Sequence, residues 1–244
     1  MARIAFSNTT DKNGLIETLA RMTGTQTATT SSYTLAQKTL DINNALVNFL
    51  SIAIRASGKW QVDDTNQTGI PTYAINIVSG TSTYAFTTDS SSPANQILDI
   101  QNLRIKDVNG KWTDSIKQID RSNTEISQFQ DITGTPEYYD LIGNNIVFYP
   151  TPNYNSTGGI ELTISRTPSY FLTTDTTKKA GIPDMFDEYL VLRPAYYFCL
   201  SKGLPQTKGY GDAMLRMEAE IEDFFANRNK TYRNVITTEE INSI

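Results

Sequence analysis

Carboxylates are the side chains with the widest chemical reach in this sequence. Glu218, Glu220, Glu222 and Asp223 crowd into one short stretch. A glycoside hydrolase needs such groups in pairs, one as acid and one as nucleophile or base. Neighbouring acids on a helical segment instead read as a solvated face. Asp63-Asp64-Thr65-Asn66 offers oxygen ligands for a hard cation. It lacks the spacing and the closing Glu of a calcium loop, and reads as a polar turn. Cys199 is the sole cysteine and the chain has no His to activate it. Within an apolar segment it reads as a small buried hydrophobe. Tyr138, Tyr139, Phe148 and Tyr149 cluster in sequence as a possible sugar-stacking platform. Strand alternation sends about half of such aromatics to the core.

The remaining catalytic signatures are missing. Zero His removes His-assisted triads, His-ligated metals and His acid–base chemistry together. In Gly203-Leu-Pro-Gln-Thr-Lys208-Gly209 the Gly and Lys stand in the wrong order for a phosphate loop. Gly209-Tyr-Gly211 is half a dinucleotide fingerprint, and no Gly-x-Ser-x-Gly elbow occurs. The sequence therefore predicts no enzyme, no cofactor and no metal.

The elements that position these residues fit 244 residues with 39% hydrophobic side chains, enough for a core without staples. Charged residues make up 19% and the net charge is −5. That balance argues against a surface that grips nucleic acid throughout, and leaves room for a local basic patch. No apolar run reaches membrane-spanning length, and the first residues lack the apolar core of a signal peptide. The Asn-x-Ser/Thr sequons at Asn8, Asn66, Asn155 and Asn229 are expected by chance in so Asn- and Thr-rich a chain.

Helical spacing of Leu15, Ile16, Leu19 and Met22 predicts a helix over 11–22, closed by Gly24. A Thr/Ser-rich linker over 23–32 supplies a cap for the next helix. From Leu35 a stripe of Ile42, Leu46, Phe49 and Ala53, with Thr39 in the gap, predicts a helix ending at Ser57-Gly58. The period then drops to two. Trp60 and Val62 alternate, as do Tyr73, Ile75 and Ile77, then Tyr84 and Phe86. Residues 97–105 read as a strand, with Asn109-Gly110 as a two-residue hairpin turn whose far arm starts at Lys111-Trp112. Residues 120–131 read as a short polar helix. Gly143-Asn144-Asn145 turns the chain into Ile146–Pro152, and a Gly-rich loop at 157–159 precedes a strand through Ile160, Leu162 and Ile164.

After Pro183 the helical period returns. Residues 184–200 are apolar almost all round, which requires burial on several sides. Pro194 should bend that helix, because its ring removes the bond to the Leu190 carbonyl. A last helix over 209–229 carries Met214, Met217, Ile221, Phe224 and Phe225 on one stripe and the acids 218–223 on the other face. The predicted class is α+β. A helical bundle is built from both chain ends (1–59 and 184–244), with an antiparallel β-sandwich or barrel inserted at 60–183.

Three segments in this order resemble the head-to-tail adaptor proteins of tailed bacteriophages, also called connector, neck or tail tubular proteins. The first is the helix over 34–57 followed by Gly58-Lys-Trp60-Gln-Val-Asp63-Asp64. The second is Ile77-Val-Ser-Gly80-Thr-Ser-Thr-Tyr84-Ala-Phe86, leading to Lys106-Asp107-Val-Asn109-Gly110. The third is Gly134-Thr-Pro136-Glu-Tyr138-Tyr139-Asp140-Leu141 with Ile146-Val147-Phe148-Tyr149-Pro150-Thr-Pro152, then 162–168 and Ile182-Pro183.

The resemblance implies a structural virion protein, assembled in the host cytoplasm and placed in the phage neck. It implies a homo-oligomeric ring, commonly of twelve copies, under the portal protein. Such a ring extends the DNA channel, passes genomic DNA without specific binding, and offers a platform to the tail nozzle or next neck protein. It implies a C-terminal segment reaching along the portal, with Tyr232, Val235, Ile236, Ile241 and Ile244 as anchors. Net negative charge suits a channel through which phosphates must slide. Glu218, Glu220, Glu222 and Asp223 are the candidate lumen-facing acids. The competing reading is a carbohydrate-binding β-sandwich module or tail-fibre component, favoured by the tyrosines of the middle region. The long apolar helix after Pro183 counts against it.

Overall fold

A computed structural model of the chain describes residues 4–25, 32–57, 72–86, 97–113, 116–119 and 132–228. The first helix, α1 (Leu15–Thr23), starts later than its periodicity predicts. The Asn8 side chain folds the preceding residues into a local turn. Its carbonyl oxygen accepts from the Thr10 and Asp11 amides, and its amide donates to Asp11 and Asn13. Such side-chain bonds compete with the helical ladder. Glu17 then reaches back to the Asn8 amide and the Ser7 hydroxyl. Gly24 closes α1 in the left-handed conformation, as predicted.

Helix α2 (Leu35–Ser57) opens on a reciprocal cap. The Gln37 amide donates to the Thr34 hydroxyl, and the Thr34 amide donates to the Gln37 side chain. Its predicted stripe is buried at Thr39, Ile42, Leu46, Phe49 and Ala53. Thr39 satisfies its hydroxyl on the Leu35 carbonyl at 2.8 Å, which lets a polar residue sit in the apolar row. Lys38, absent from the predicted stripe, is fully buried. Its ammonium lies 5.4 Å from the Tyr33 ring centroid. Burial pushes its pKa down. Gly58 lies outside the described residues, as do Trp60, Val62, the acidic turn 63–66 and the polar stretch 120–131.

Seven strands follow: β1 (Thr72–Ile77), β2 (Thr83–Ala85), β3 (Ile97–Ile105), β4 (Lys117–Gln118), β5 (Tyr138–Ile142), β6 (Asn145–Tyr149) and β7 (Ser156–Arg166). They form a three-stranded sheet in the order β1-β7-β3 and a four-stranded sheet in the order β2-β6-β5-β4. Inward-facing Ile160, Leu162 and Ile164 of β7 share one apolar core with Tyr84, Ile146 and Phe148 of the other sheet. The pairing is antiparallel except between β4 and β5, which run parallel, so the purely antiparallel expectation fails there.

Three turns depart from or refine the sequence reading. Asn109-Gly110 does not make a two-residue hairpin. A longer loop is closed by one bridge between Lys106 and Trp112, and the Asp107 carboxylate accepts the Asn109 and Lys111 amides. That side chain organises the turn, and the far arm runs back along β3, the Thr113 amide donating to the Ile105 carbonyl and the Ile116 amide to the Leu103 carbonyl. The two-residue hairpin lies instead at Gly143-Asn144, where Ile142 pairs with Asn145. The stretch 157–159 is part of β7 rather than a loop before it. The β1–β7 register shifts there, and the Gly158 amide donates to the Asn76 side chain at 2.7 Å.

A short 3-10 turn (Asp184–Phe186) leads into α3 (Tyr189–Lys202), and α4 (Thr207–Arg228) follows. α3 runs through Pro194 and ends at Gly203 in the left-handed conformation. Its first turns are buried as predicted, from Tyr189 to Leu192, but Tyr197 and Leu200 are exposed near its end. The four helices share a second apolar core, in which Phe49 meets Phe186, Tyr189 and Phe225. The chain between β7 and the 3-10 turn contributes Phe171, Ala180 and Ile182 to that same core. Asn43 of α2 pins it by accepting from the Phe171 amide and donating to its carbonyl. Phe6 stacks on the Phe171 ring at 4.7 Å.

Candidate interaction surface

The acids of α4 divide by helical geometry, since positions four apart share a face. Glu218 and Glu222 face α2. Glu222 pairs with Arg55 at 3.3 Å, an exposed contact of little weight in stability. Glu218 is half-buried and accepts from the Tyr189 hydroxyl at 2.7 Å. Asn48 of α2 in turn donates to that hydroxyl. One chain of hydrogen bonds therefore ties α2, α3 and α4 together. Burial and the neighbouring Glu218 carboxylate push the Tyr189 pKa well above the ordinary tyrosine value. Glu220 and Asp223 are exposed. The single solvated face expected from the sequence is therefore two faces, and one contains a helix-joining bond. Among the described residues, no group of Cys, Asp or Glu is placed to hold a metal ion.

A groove between α2, α3 and α4 runs past this bond, lined by Arg55, Arg193, Tyr197, Leu215 and Glu218. The Arg193 guanidinium lies 4.9 Å from the Tyr197 ring centroid. A second groove continues on the far side of Tyr197, toward Leu40, Tyr33 and Phe198. Tyr33 stacks on Phe198 and donates its hydroxyl to Asp41. Leu40, Val47, Tyr197, Leu200 and Leu215 are all exposed on these three helices. Of the groove residues, the sequence reading offered only Glu218 and Glu222 as site candidates and read Met214 as part of an apolar stripe. Leu40 and Val47, seven apart on the outer side of the α2 stripe, were the available signal.

The β sheets place the aromatic cluster as strand alternation requires. Tyr139 and Phe148 pair across β5 and β6 and are buried. Tyr138 and Tyr149 pair beside them and are half-exposed. A local basic patch lies on the outer face of the three-stranded sheet. Arg104 pairs with Glu161 at 2.6 Å, and Arg104 and Lys106 both lie within 5 Å of the Trp112 ring centroid. Cys199 is buried, and burial pushes its thiol pKa up, which removes the thiolate a nucleophile needs. The C-terminal anchors Tyr232, Val235, Ile236, Ile241 and Ile244 lie outside the described residues.

The chain thus places four helices on one apolar core and two sheets on another, with exposed apolar side chains along the helical grooves. The family comparison is specific. Residues 14–237 match the model of the SU10 adaptor protein family, and the chain belongs to that family of phage head-to-tail adaptors. No curated protein matches it. The family is a structural one. No described helix is long and apolar enough to cross a membrane.

Proposed function

We propose that this chain forms a ring, of twelve copies, beneath the portal vertex of a tailed phage and extends the DNA channel toward the tail. The match to the adaptor family over residues 14–237 carries this reading. Its place is the virion neck, after assembly in the host cytoplasm. Its partners are further copies of itself, the portal protein, and the tail nozzle or next neck protein. Genomic DNA passes through without specific binding.

The two apolar cores support a division into a helical unit from both chain ends and a β-rich unit between them. Phe171, Ala180 and Ile182 favour a boundary nearer the end of β7 than residue 183. The tail from Thr231 docks on the portal through Tyr232, Val235, Ile236, Ile241 and Ile244. Isolated apolar residues in a polar segment suit ordering on a partner. Exposed Glu220, Glu222 and Asp223 suit a lumen that repels phosphate. Glu218 stands at the edge of that group, one oxygen engaged by Tyr189.

The test is analytical ultracentrifugation of the purified chain with portal rings from the same phage. A portal-dependent shift to a much heavier complex, lost when the chain is cut before Thr231, is expected. A chain that never sediments with the portal overturns direct docking.

A further inference from the structure

Two exposed patches on the helical part of the chain differ in charge. The first is the groove side of α2, α3 and α4. There Tyr197 and Leu215, respectively 47% and 62% exposed, flank the Arg193 guanidinium. Arg193 lies on the Tyr197 ring and has no carboxylate within ion-pair reach among the described residues. The other charges of the groove are already used. Arg55 pairs with Glu222, and Glu218 accepts from Tyr189. The second patch is the 3-10 turn ahead of α3. Met185 is 63% exposed there, between exposed Asp184 and Glu188. Neither acid has an ion-pair partner among the described residues. One patch is thus a mixed groove with two exposed apolar walls and a spare cation, the other an exposed methionine with spare anions.

We propose that a second copy of this chain fills the groove, with Met185 of one copy lying between Tyr197 and Leu215 of the next and Glu188 pairing with Arg193. Complementary charge selects the register, and the apolar contact supplies most of the affinity. The ring reading selects the head-to-tail form of this contact over a reciprocal two-fold pair, and association that stops at a dimer overturns it. The proposal rests on the ring reading above and names the surfaces that form it.

The test uses the full chain in sedimentation velocity over a concentration series, with circular dichroism to check each fold. Glu188 is exposed and Arg193 half-exposed beside Glu218 and Glu222, so Arg193→Gln, which adds no like charge to the groove, is run beside Arg193→Glu and Glu188→Arg. Wild type associates. Each single reversal weakens association by roughly tenfold or more, because like charges then face each other. The double reversal and an equimolar mixture of the two single variants both recover it. Wild type that stays monomeric alone but joins a portal complex overturns the self-contact and leaves the ring reading standing. Association that ignores both reversals, or an Arg193→Glu defect that Glu188→Arg cannot rescue, overturns the head-to-tail pairing. The latter outcome points to groove-on-groove dimers.

Discussion

Tyr189 and Glu218 meet across the α3–α4 seam, the hydroxyl donating to the carboxylate at 2.7 Å. Tyr189 is fully buried, and its oxygen also accepts from Asn48 of α2. Removing that oxygen takes the nearer partner from both Glu218 and Asn48, which keep a longer 3.4 Å bond to each other and face an open groove. Tyr189→Phe should therefore cost about 0.5–1.5 kcal/mol. Glu218→Gln keeps an acceptor and should cost less. Chemical denaturation of the three proteins checks the order.

Alkaline pH should destabilise the fold. Tyr33, Tyr84, Tyr139, Tyr154 and Tyr189 all have pKa values raised, chiefly by burial, with Tyr154 pushed up to about 12. A raised folded-state value means that the folded chain holds the proton more tightly. The resulting stability is complete below the ordinary tyrosine value of 10.0 and is lost as pH climbs through the folded values. Denaturation midpoints should hold below that value and fall steadily above it. Tyr189→Phe should flatten the fall. The part of the tyrosinate absorbance that belongs to these five buried rings should appear together with unfolding.

Gly159 should resist any side chain. A Cβ there would stand 2.5 Å from Ile77 Cδ1 and 2.8 Å from Ser156 Cβ, between β1 and β7. Gly159→Ala should cost about 1–3 kcal/mol through overpacking. Adding Ile77→Val removes the nearest methyl and should recover part of the loss. Thermal unfolding of the single and double variants measures the coupling.

Phe49 should dominate the helical core. It is fully buried and packs against the rings of Phe186, Tyr189 and Phe225. Phe49→Ala should cost about 3–5 kcal/mol. Ile97→Val, at the first residue of β3, should cost only about 0.5–1.5 kcal/mol. Urea midpoints separate the two.

The helices were legible because a buried stripe repeats at helical spacing whatever it packs against. α2, α4 with its Met214-Ile221-Phe225 stripe, and the Gly24 and Gly203 ends all follow from local chemistry, while the α2 cap is Thr34, just past the linker 23–32 expected to supply it. The strand alternation of Tyr138, Tyr139, Phe148 and Tyr149 was legible for the same reason. The order of these pieces also carried the adaptor resemblance, which the family match over residues 14–237 bears out.

Long-range partners were not legible. Nothing near Glu218 in sequence announces Asn48 and Tyr189, which lie 170 and 29 residues away. Lys38 looks like a surface lysine until tertiary packing buries it beside Tyr33. Asn109-Gly110 carries a hairpin signal and the chain does turn back from Trp112, but the Asp107 side chain sets a turn longer than two residues. The sequence by itself determined the elements, their order and the absence of His chemistry, because propensity, periodicity and composition are local properties. Only the tertiary structure decided which faces stay exposed and which charges lack a partner, because burial and pairing depend on segments far apart in the chain.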